Sequence, residues 1–473
     1  MSQRRRRRSQ SAEVDPARLA AYTLLREVAE TGAYANLALP RILRDRSISG
    51  TDAAFATELA YGTLRLRGRY DAIIDQCASR DLSEIDERAL DVLRLGCHQI
   101  LGMRVPDYAA VSSSAALVRR VGRSSAAGFV NAILRRVAAT DLTDWLATIS
   151  PTAEENRDEH LFAVTSHPRW IGLALMEALT RDGREDELAD LLAANNSVAP
   201  VTLVARPGRI SATHLQEQTE GELGRLSPWA VRIHGDPGRF QAVRDGDAGV
   251  QDEGSQLIPL ALTRAEVNCT DDRWLDMCAG PGGKAADLAG LAQEAGAELT
   301  VVEQHPHRAE LVRGALGPES QVRVVTGDVR ELPAAGGFSR ILLDAPCTGL
   351  GALRRRPDLR WRRSTADLPA LRRLQRELLE AALALLKPGG VVGYATCSPH
   401  LAETDEIVET VLADRADIER LNTSELVPEV ENAQSGDALR LWPHQHDTDG
   451  MYLALLRRAD GSANEPATEP VDG

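Results

Sequence analysis

Two cysteines follow apolar runs, and each stands beside a proline. Arg340–Asp344 leads into Ala-Pro-Cys347, and Val391–Thr396 leads into Cys397-Ser-Pro. Short apolar runs bounded by turn residues predict buried strands that end in loops. Because adjacent parallel strands lie about 4.8 Å apart, both thiols can face one pocket. Two unrelated structural cysteines are the alternative interpretation, since free cysteine is often a small buried hydrophobe.

A pair of thiols suits covalent catalysis on a pyrimidine ring. C5 of cytosine is a weak nucleophile, and a thiolate that adds to C6 makes C5 enamine-like, so that it can attack an activated methyl group. The attacking thiol must be ionised, so the site should lower its pKa from about 8.5. Asp344 is expected at the N3/N4 edge of the base, and the second thiol is suited to assist release. Spacing alone leaves open which cysteine attacks.

A glycine-rich loop follows another predicted strand. The loop reads Asp-Met-Cys-Ala-Gly-Pro-Gly-Gly-Lys over 276–284 and leads into a helix, whose free N–H groups can face an anionic group. It fits neither the Walker A pattern nor GxGxxG. The next two strands lead to Glu303 and Asp328, suited to a ribose diol and an adenine amino group. The combination favours S-adenosylmethionine (SAM) over a nicotinamide cofactor.

From Ala248 onwards, predicted strands alternate with predicted helices. This alternation indicates βαβ units and an α/β fold with a mostly parallel, Rossmann-like sheet. The predicted strands are Arg273–Cys278, Leu299–Glu303, Val322–Thr326, Arg340–Asp344, Val391–Thr396 and Met451–Leu456. The predicted helices are Gly283–Glu294, Pro306–Leu316, Ala366–Leu386 and Glu403–Leu412.

Composition divides the chain into five parts. We expect a disordered basic arm over 1–12, an all-helical domain over 13–140, and a linker with a small α/β subdomain over 141–245. The sheet domain follows over 246–458, and residues 459–473 are expected to form a disordered tail. The predicted helical domain shows no set of residues typical of a catalytic site. His98 lies among apolar residues and is interpreted as a structural histidine.

The net charge of −14 taken alone disfavours a polyanionic partner, but the arginines are clustered. An arginine cluster that follows Cys347 in the sequence is predicted to bind phosphates, because planar guanidinium groups suit them. The alternative interpretation is that these arginines only form a solvated surface. The candidate residues are Arg354, Arg355, Arg356 and Arg360.

Cysteine usage and hydropathy bear on the compartment. Six cysteines without CxxC spacing indicate a reducing, cytoplasmic location. No run is apolar enough to predict a membrane partner. His444 and His446 are too few ligands for a metal site, so no metal is expected.

Several stretches resemble known families. Residues up to about 140 resemble the helical RNA-binding domain of the NusB antitermination-factor family, in "ELAYGTLRLRGRYDAII", "ALDVLRLGCHQIL" and "GFVNAILRRV". Much of the remainder resembles the RsmB (Sun/Fmu) branch of the RNA 5-methylcytosine methyltransferases. The matching motifs are "VQDEGSQL", "DMCAGPGGK", "DAPCTGLGALRRRPDLRW", "LLKPGGVVGYATCS" and "PHQHDTDGMYLALL".

This resemblance implies a class I SAM-dependent methyltransferase that acts on C5 of a cytosine in 16S ribosomal RNA. It makes Cys397 the nucleophile and Cys347 the residue that aids product release. Gly280 stands where alanine is frequent in the family, and Glu303 stands where aspartate is frequent. The implied SAM-binding residues are Cys278, Ala279, Gly280, Pro281, Gly282, Gly283, Lys284, Glu303, Asp328 and Asp344.

Two other functions stay open at this stage. The chain could methylate cytosine in transfer RNA, or it could be a non-catalytic RNA-binding factor for ribosome assembly. The NusB-like region favours ribosomal RNA by analogy only. A monomer is expected, and the sequence does not identify the target nucleotide.

Overall fold

The computed structural model describes residues 14–318, 320–333 and 337–460, and it divides into two compact units. The first unit contains the chain up to Gly172 together with Arg355–Arg362, and the second contains the rest. The predicted basic arm over 1–12 and residues 461–473 of the predicted tail lie outside the described residues.

The first unit is helical, as predicted. Asp15, Asp86 and Asn156 cap helix starts by accepting backbone N–H groups that have no partner within the helix. Apolar helix faces bury one core that includes Tyr70 and Leu93, both fully buried. The helices are α1 Pro16–Thr31, α2 Ala35–Asp45, α3 Gly50–Arg65, α4 Arg67–Cys77, α5 Glu87–Leu101, α6 Asp107–Val121, α7 Ala126–Ala138, α8 Leu142–Ile149, α9 Arg157–Val164 and the start of α10 Arg169–Arg181.

The acidic stretch after residue 140 differs from the linker that we expected, because α8 and α9 belong to the first unit. Two aromatic side chains explain the difference. Trp145 is buried and donates its indole N–H to the carbonyl of Val137 at 3.0 Å. Phe162 is buried against Gly172, where a Cβ would lie within 2.2 Å of the Phe162 ring. Buried apolar surface therefore holds a segment whose composition is mostly polar.

The segment Arg355–Arg362, which ends in α17 Leu359–Arg362, also belongs to the first unit. Trp361 donates its indole N–H to the carbonyl of Leu64 at 2.6 Å. Its ring lies against Gly68, where a Cβ would approach the Trp361 ring to 2.6 Å. Arg360 is 1% exposed and donates to the carbonyl of Arg65 at 3.0 Å. This part of the arginine cluster is thus an anchor within the helical unit.

The second unit contains a small antiparallel sheet in the order β2-β3-β1-β4. The small α/β subdomain predicted within 141–245 corresponds to part of this region. Its elements are α11 Leu188–Ala194, β1 Val201–Ala205, α12 Ala212–Thr219, β2 Glu222–Leu223, β3 Ala230–Ile233, α13 Gln241–Asp245 and β4 Ala248–Val250.

The main sheet has nine strands in the order β11-β12-β13-β9-β8-β5-β6-β7, with β10 paired to β13. Strands β5 to β9 pair with one another in parallel, and β13 is antiparallel to β9. The strands are β5 Arg273–Asp276, β6 Glu298–Glu303, β7 Arg323–Thr326, β8 Phe338–Asp344, β9 Leu386–Thr396, β10 Ile418–Leu421, β11 Gln434–Ser435, β12 Ala438–Arg440 and β13 Tyr452–Arg458.

Helices lie on both faces of this sheet because side chains alternate along its central strands. Leu342 of β8 belongs to one core, whereas Ile341 and Leu343 belong to the other. The α/β fold predicted from the sequence is confirmed, but the sheet is mixed rather than mostly parallel, because β10 to β13 add antiparallel pairings. The helices are α14 Glu253–Arg264, α15 Gly283–Ala295, α16 Pro306–Leu316, α18 Leu368–Leu385, α19 Asp405–Leu412 and α20 Pro443–His446.

Predicted and observed elements differ mainly at their ends and in the shortest strands. The helix Pro306–Leu316 has the bounds that we predicted, whereas β9 begins five residues before the predicted start at Val391. The short strands β10, β11 and β12 were not predicted. Among the described residues, no helix is long and apolar enough to cross a bilayer.

Replacing Trp361 by alanine tests the anchor of Arg355–Arg362. We expect Trp361→Ala to lower the free energy of local opening around Leu64 by about 3 kcal/mol, because it removes ring packing and a hydrogen bond. Trp361→Phe keeps most of the ring and should give a smaller loss. Hydrogen exchange measured by mass spectrometry on peptides of α3 and α4 reports both changes, and unchanged protection in Trp361→Ala would contradict the anchor.

Candidate active site

Cys347 and Cys397, the two candidate catalytic cysteines, lie together at the carboxyl ends of β8 and β9. The pairing of Asp344 with Ala395 places these two strand ends side by side. Beyond it, the amide of Ala345 donates to the carbonyl of Ala395 at 2.8 Å, which carries the pairing into the loops. The sulfur atoms of Cys347 and Cys397 lie 3.5 Å apart. The structure therefore brings together the two thiols that sequence spacing had placed in one pocket.

The thiols of Cys347 and Cys397 lie within hydrogen-bond distance of each other. The hydrogen bond to the Cys397 sulfur, together with burial, raises the pKa of Cys347 well above its usual range. Cys347 therefore keeps its proton at neutral pH and can direct it at the sulfur of Cys397. Such a pair can divide two tasks, with one thiol as a proton holder and the other as a nucleophile.

Lys284 brings a positive charge to the same site. Its ammonium group lies 2.8 Å from Asp344 Oδ2. Burial lowers the pKa of Lys284, but the charge of Asp344 and the hydrogen bond to it outweigh burial and leave that pKa raised. Cys397 is also among the groups that interact electrostatically with Lys284. A fixed cation of this kind favours the ionised form of a nearby thiol.

The glycine-rich loop joins β5 to α15 as predicted. Asp276 at the end of β5 is 1% exposed and accepts the amide of Cys278 at 3.3 Å, while its Oδ2 atom has no hydrogen-bond partner among the described residues. Burial, and then the charge of Asp344, raise the pKa of Asp276 to about 7. Gly282 has a φ of 114°, and a Cβ there would lie 3.0 Å from the Cα of Val312.

Cys278 is a third thiol in this region. Burial, followed by the charge of Asp276, raises its pKa above the usual range. A thiol that is harder to ionise is a poor nucleophile. Cys278 is therefore a poor candidate for a nucleophile.

The two acids beyond the loop have different surroundings. Glu303 is 3% exposed and accepts the amides of Gly280 at 3.1 Å and His305 at 2.9 Å. Asp328 accepts the amide of Arg330 at 3.0 Å and pairs with its guanidinium group at 2.5 Å. The hydrogen bond from Arg330 lowers the pKa of Asp328. Both acids lie at strand ends, as the sequence predicted, and their cofactor contacts stay predictions.

The predicted RNA contacts of Arg354 and Arg360 need correction. Arg354 is 4% exposed and pairs with Asp447 at 2.8 Å, and Arg360 is buried in the helical unit. Neither guanidinium group is accessible to a phosphate in this structure. Arg355 and Arg356 are half-buried, and the Arg356 guanidinium lies 4.7 Å from the centre of the Tyr34 ring.

The two histidines near the carboxyl end contact protein groups. Nε2 of His444 lies 2.7 Å from Glu187, and His446 Nδ1 accepts the amide of Trp442 at 2.8 Å. Across 14–318, 320–333 and 337–460, no group of three or more His, Cys, Asp or Glu side chains is arranged to hold a metal ion.

Sequence reasoning missed one residue beside the two thiols. Glu403 is fully buried and accepts hydrogen bonds from the residues that directly follow Cys347 and Cys397. Its position six residues after Cys397, in a polar stretch that also holds Asp405 and Glu406, gave no sign of this role.

Two family models match the chain. The model described as 16S rRNA methyltransferase RsmB/F matches residues 266–457, and the NusB family model matches residues 15–139. The first match covers the main sheet with both cysteines, and the second covers α1 to α7.

Relatives match over almost the whole length. A Mycobacterium tuberculosis protein, named no more specifically than a methyltransferase, is 50% identical over 94% of this chain and 97% of its own length. Ribosomal RNA small subunit methyltransferase B of Pseudomonas putida is 31% identical over 93% of this chain and 98% of its own length. The crystal structure of PH0851 has the same fold, with a TM-score of 0.78 at 20% identity over 94% of this chain and 99% of that chain.

Proposed function

The chain belongs to the RsmB/F family of methyltransferases, and from this premise we propose that it methylates C5 of a cytosine in 16S ribosomal RNA, with SAM as the methyl donor. The observation that carries the proposal is the 3.5 Å separation of the sulfurs of Cys347 and Cys397. Methylation of an exocyclic amine needs no thiol, whereas methylation at C5 needs both a nucleophile and its later release.

Cys397 is the proposed nucleophile. Its sulfur bonds to C6 of the cytosine, and the electron pair of the C5–C6 double bond becomes available at C5 for the methyl group. The Asp344 side chain, bonded to Lys284 at 2.8 Å, can reach the N3/N4 edge, where a proton held between Asp344 and N3 neutralises the negative charge that attack at C6 places on the ring. Lys284 favours the thiolate before attack.

Cys347 is the proposed release residue. After transfer, a solvent water takes the proton from C5, the electron pair of that C–H bond re-forms the C5–C6 double bond, and the bond between C6 and the Cys397 sulfur breaks with its electron pair left on sulfur. The raised pKa of Cys347 keeps an S–H group beside that sulfur, so the departing thiolate receives a hydrogen bond as it forms. This makes release easier than expulsion of an unassisted thiolate.

The glycine-rich loop and its neighbouring acids fit SAM, which supplies an electrophilic methyl group when bound. The first turn of α15 offers free N–H groups to the methionine carboxylate. The unpartnered Oδ2 of Asp276 is a buried acceptor within the same loop. We assign Glu303 to the ribose diol and Asp328 to the adenine amino group, with Cys278–Lys284 around the methionine portion.

The choice of ribosomal RNA rests on the named Pseudomonas relative and on the NusB-like unit. Labelled SAM, incubated with purified protein and with either 16S rRNA or transfer RNA, tests it directly. Label in C5 of cytosine within 16S rRNA alone is expected. Label confined to transfer RNA would change the substrate, and no label in either would favour a non-catalytic role.

Gly280 and Glu303 form a pair that we expect to act together in cofactor binding. A Cβ at Gly280 would lie 2.2 Å from Glu303 Oε2. Gly280→Ala should therefore displace the carboxylate and weaken SAM binding by about tenfold, or about 1.4 kcal/mol. Adding Glu303→Asp shortens the acid and should recover most of that loss. Isothermal titration calorimetry of SAM measures both effects, and equal affinity for Gly280→Ala and the unmodified protein would contradict them.

Removal of the proposed nucleophile should abolish the reaction. We expect Cys397→Ala to lose methyl transfer to RNA entirely and to form no covalent RNA adduct. Cys269→Ala is the matched control, because Cys269 is also a partly exposed free cysteine and lies outside the site. Transfer of labelled methyl groups measures the loss, and normal turnover by Cys397→Ala would refute the assignment.

Removal of the proposed release residue should give the opposite signature. Cys347→Ala keeps the nucleophile but lacks the neighbouring S–H group, so a covalent protein–RNA adduct should accumulate. Denaturing gel electrophoresis with labelled 16S rRNA detects it. The double variant Cys347→Ala/Cys397→Ala should form none, and absence of an adduct from the single variant would count against release by Cys347.

A further inference from the structure

A single buried carboxylate connects the loops that carry both thiols. Glu403 lies at the end of the 3-10 turn Leu401–Glu403 and is fully buried. Its Oε1 atom accepts the backbone amide of Thr348 at 2.8 Å, and its Oε2 atom accepts the hydroxyl of Ser398 at 2.7 Å. Thr348 also donates its hydroxyl to Oε2. Thr348 directly follows Cys347, and Ser398 directly follows Cys397.

Two further contacts strengthen this connection. The hydroxyl oxygens of Thr348 and Ser398 lie 3.0 Å apart. Gln375 donates through Nε2 to Glu403 Oε1 at 3.2 Å and to the carbonyl of Pro346 at 2.8 Å. Thr348, after Cys347, therefore bonds to Glu403 directly, and Pro346, before it, is connected to Glu403 through Gln375.

We propose that Glu403 is a positioning residue for the two thiols, which fixes the loops of Cys347 and Cys397 so that their sulfurs stay in contact. Its hydrogen bonds reach the two thiol loops through Thr348 and Ser398. The inference rests on the proposed function, because it assigns Glu403 to the reaction of this thiol pair.

The charge of Glu403 has a second consequence. The groups that donate to it are neutral, so its negative charge stays close to the thiols. After the contact with Cys397 and burial, this charge is a further cause that raises the pKa of Cys347. Glu403 thus holds the Cys347 loop in place and adds to the causes that raise the pKa of Cys347.

Thiol titration tests the role without RNA or cofactor. In a Cys397→Ala background only one thiol of the pair titrates, so the midpoint for alkylation of Cys347 by iodoacetamide is defined. We expect Glu403→Gln to lower this midpoint by about one pH unit, because it removes the charge and keeps the shape. Mass spectrometry of the cysteine peptides separates Cys347 from the other cysteines.

Glu253→Gln is the matched control. Glu253 is also buried, at 1% exposure, and it accepts the amides of Leu226 and Ser227 and the guanidinium of Arg232 rather than groups beside the cysteines. We expect no change in the Cys347 midpoint in Glu253→Gln. An unchanged midpoint in Glu403→Gln, or an equal shift in both variants, would overturn the proposal.

Turnover provides the second measurement. With Cys397 intact, Glu403→Gln should lower kcat at least about tenfold and leave KM within about twofold, since small misplacement of reacting groups affects chemistry more than binding. Ser398→Ala keeps the Glu403 carboxylate but removes its hydrogen bond to the Cys397 loop. This variant should also lower kcat at least about tenfold and leave KM within about twofold. If Glu403→Gln does not fold, Ser398→Ala serves as the test in its place. A normal kcat in Ser398→Ala would then overturn the positioning role of Glu403.

The two measurements separate this inference from the proposed function. A shifted Cys347 midpoint with no methyl transfer by the unmodified protein would support thiol control by Glu403 and refute the methyltransferase reaction. Methyl transfer that survives Glu403→Gln and Ser398→Ala unchanged would support the reaction and refute the positioning role.

Discussion

The pairing of β8 with β9 is the constraint on which the candidate site depends. Parallel hydrogen bonding aligns Asp344 with Ala395, and so the two chains leave the sheet side by side. A shift of one residue would turn every side chain of a strand to the opposite face and separate the sulfurs. Leu342 faces one buried core and Ile341 the other, so such a shift would also bury the wrong side chains on both faces. The hydrophobic cores therefore specify the contact between Cys347 and Cys397.

Sequence patterns were sufficient for features that depend on strand order and insufficient for features that depend on distant partners. The meeting of Cys347 and Cys397 follows from adjacent parallel strands, and each strand has a clear apolar run. Glu403 was missed because its bonds to Thr348 span 55 positions and follow no periodic pattern. A polar loop residue looks the same in sequence whether it is solvated or buried among donors.

The arginine cluster shows the same limit. Residues 354–363 look uniformly basic, but burial differs sharply along them. Arg354 is buried beside Asp447, 93 positions away, and Arg360 is buried among backbone carbonyls of the helical unit. Trp361 and Asp358 within the run were the available signal, because an aromatic ring and an acid among arginines indicate internal packing better than a phosphate-binding surface. A buried guanidinium group needs such partners, and only the fold supplies them.

The electrostatic surroundings of Cys347 bear on the roles proposed for the two thiols. Two sulfurs 3.5 Å apart in a buried site resist carrying two negative charges, so one keeps its proton. The acids Glu403 and Asp344 both raise the pKa of Cys347. Cys397, by contrast, is among the groups that interact with the charge of Lys284. Negative charge is thus opposed at Cys347, which fits the proposed role of Cys347 as the thiol that keeps its proton and assists departure.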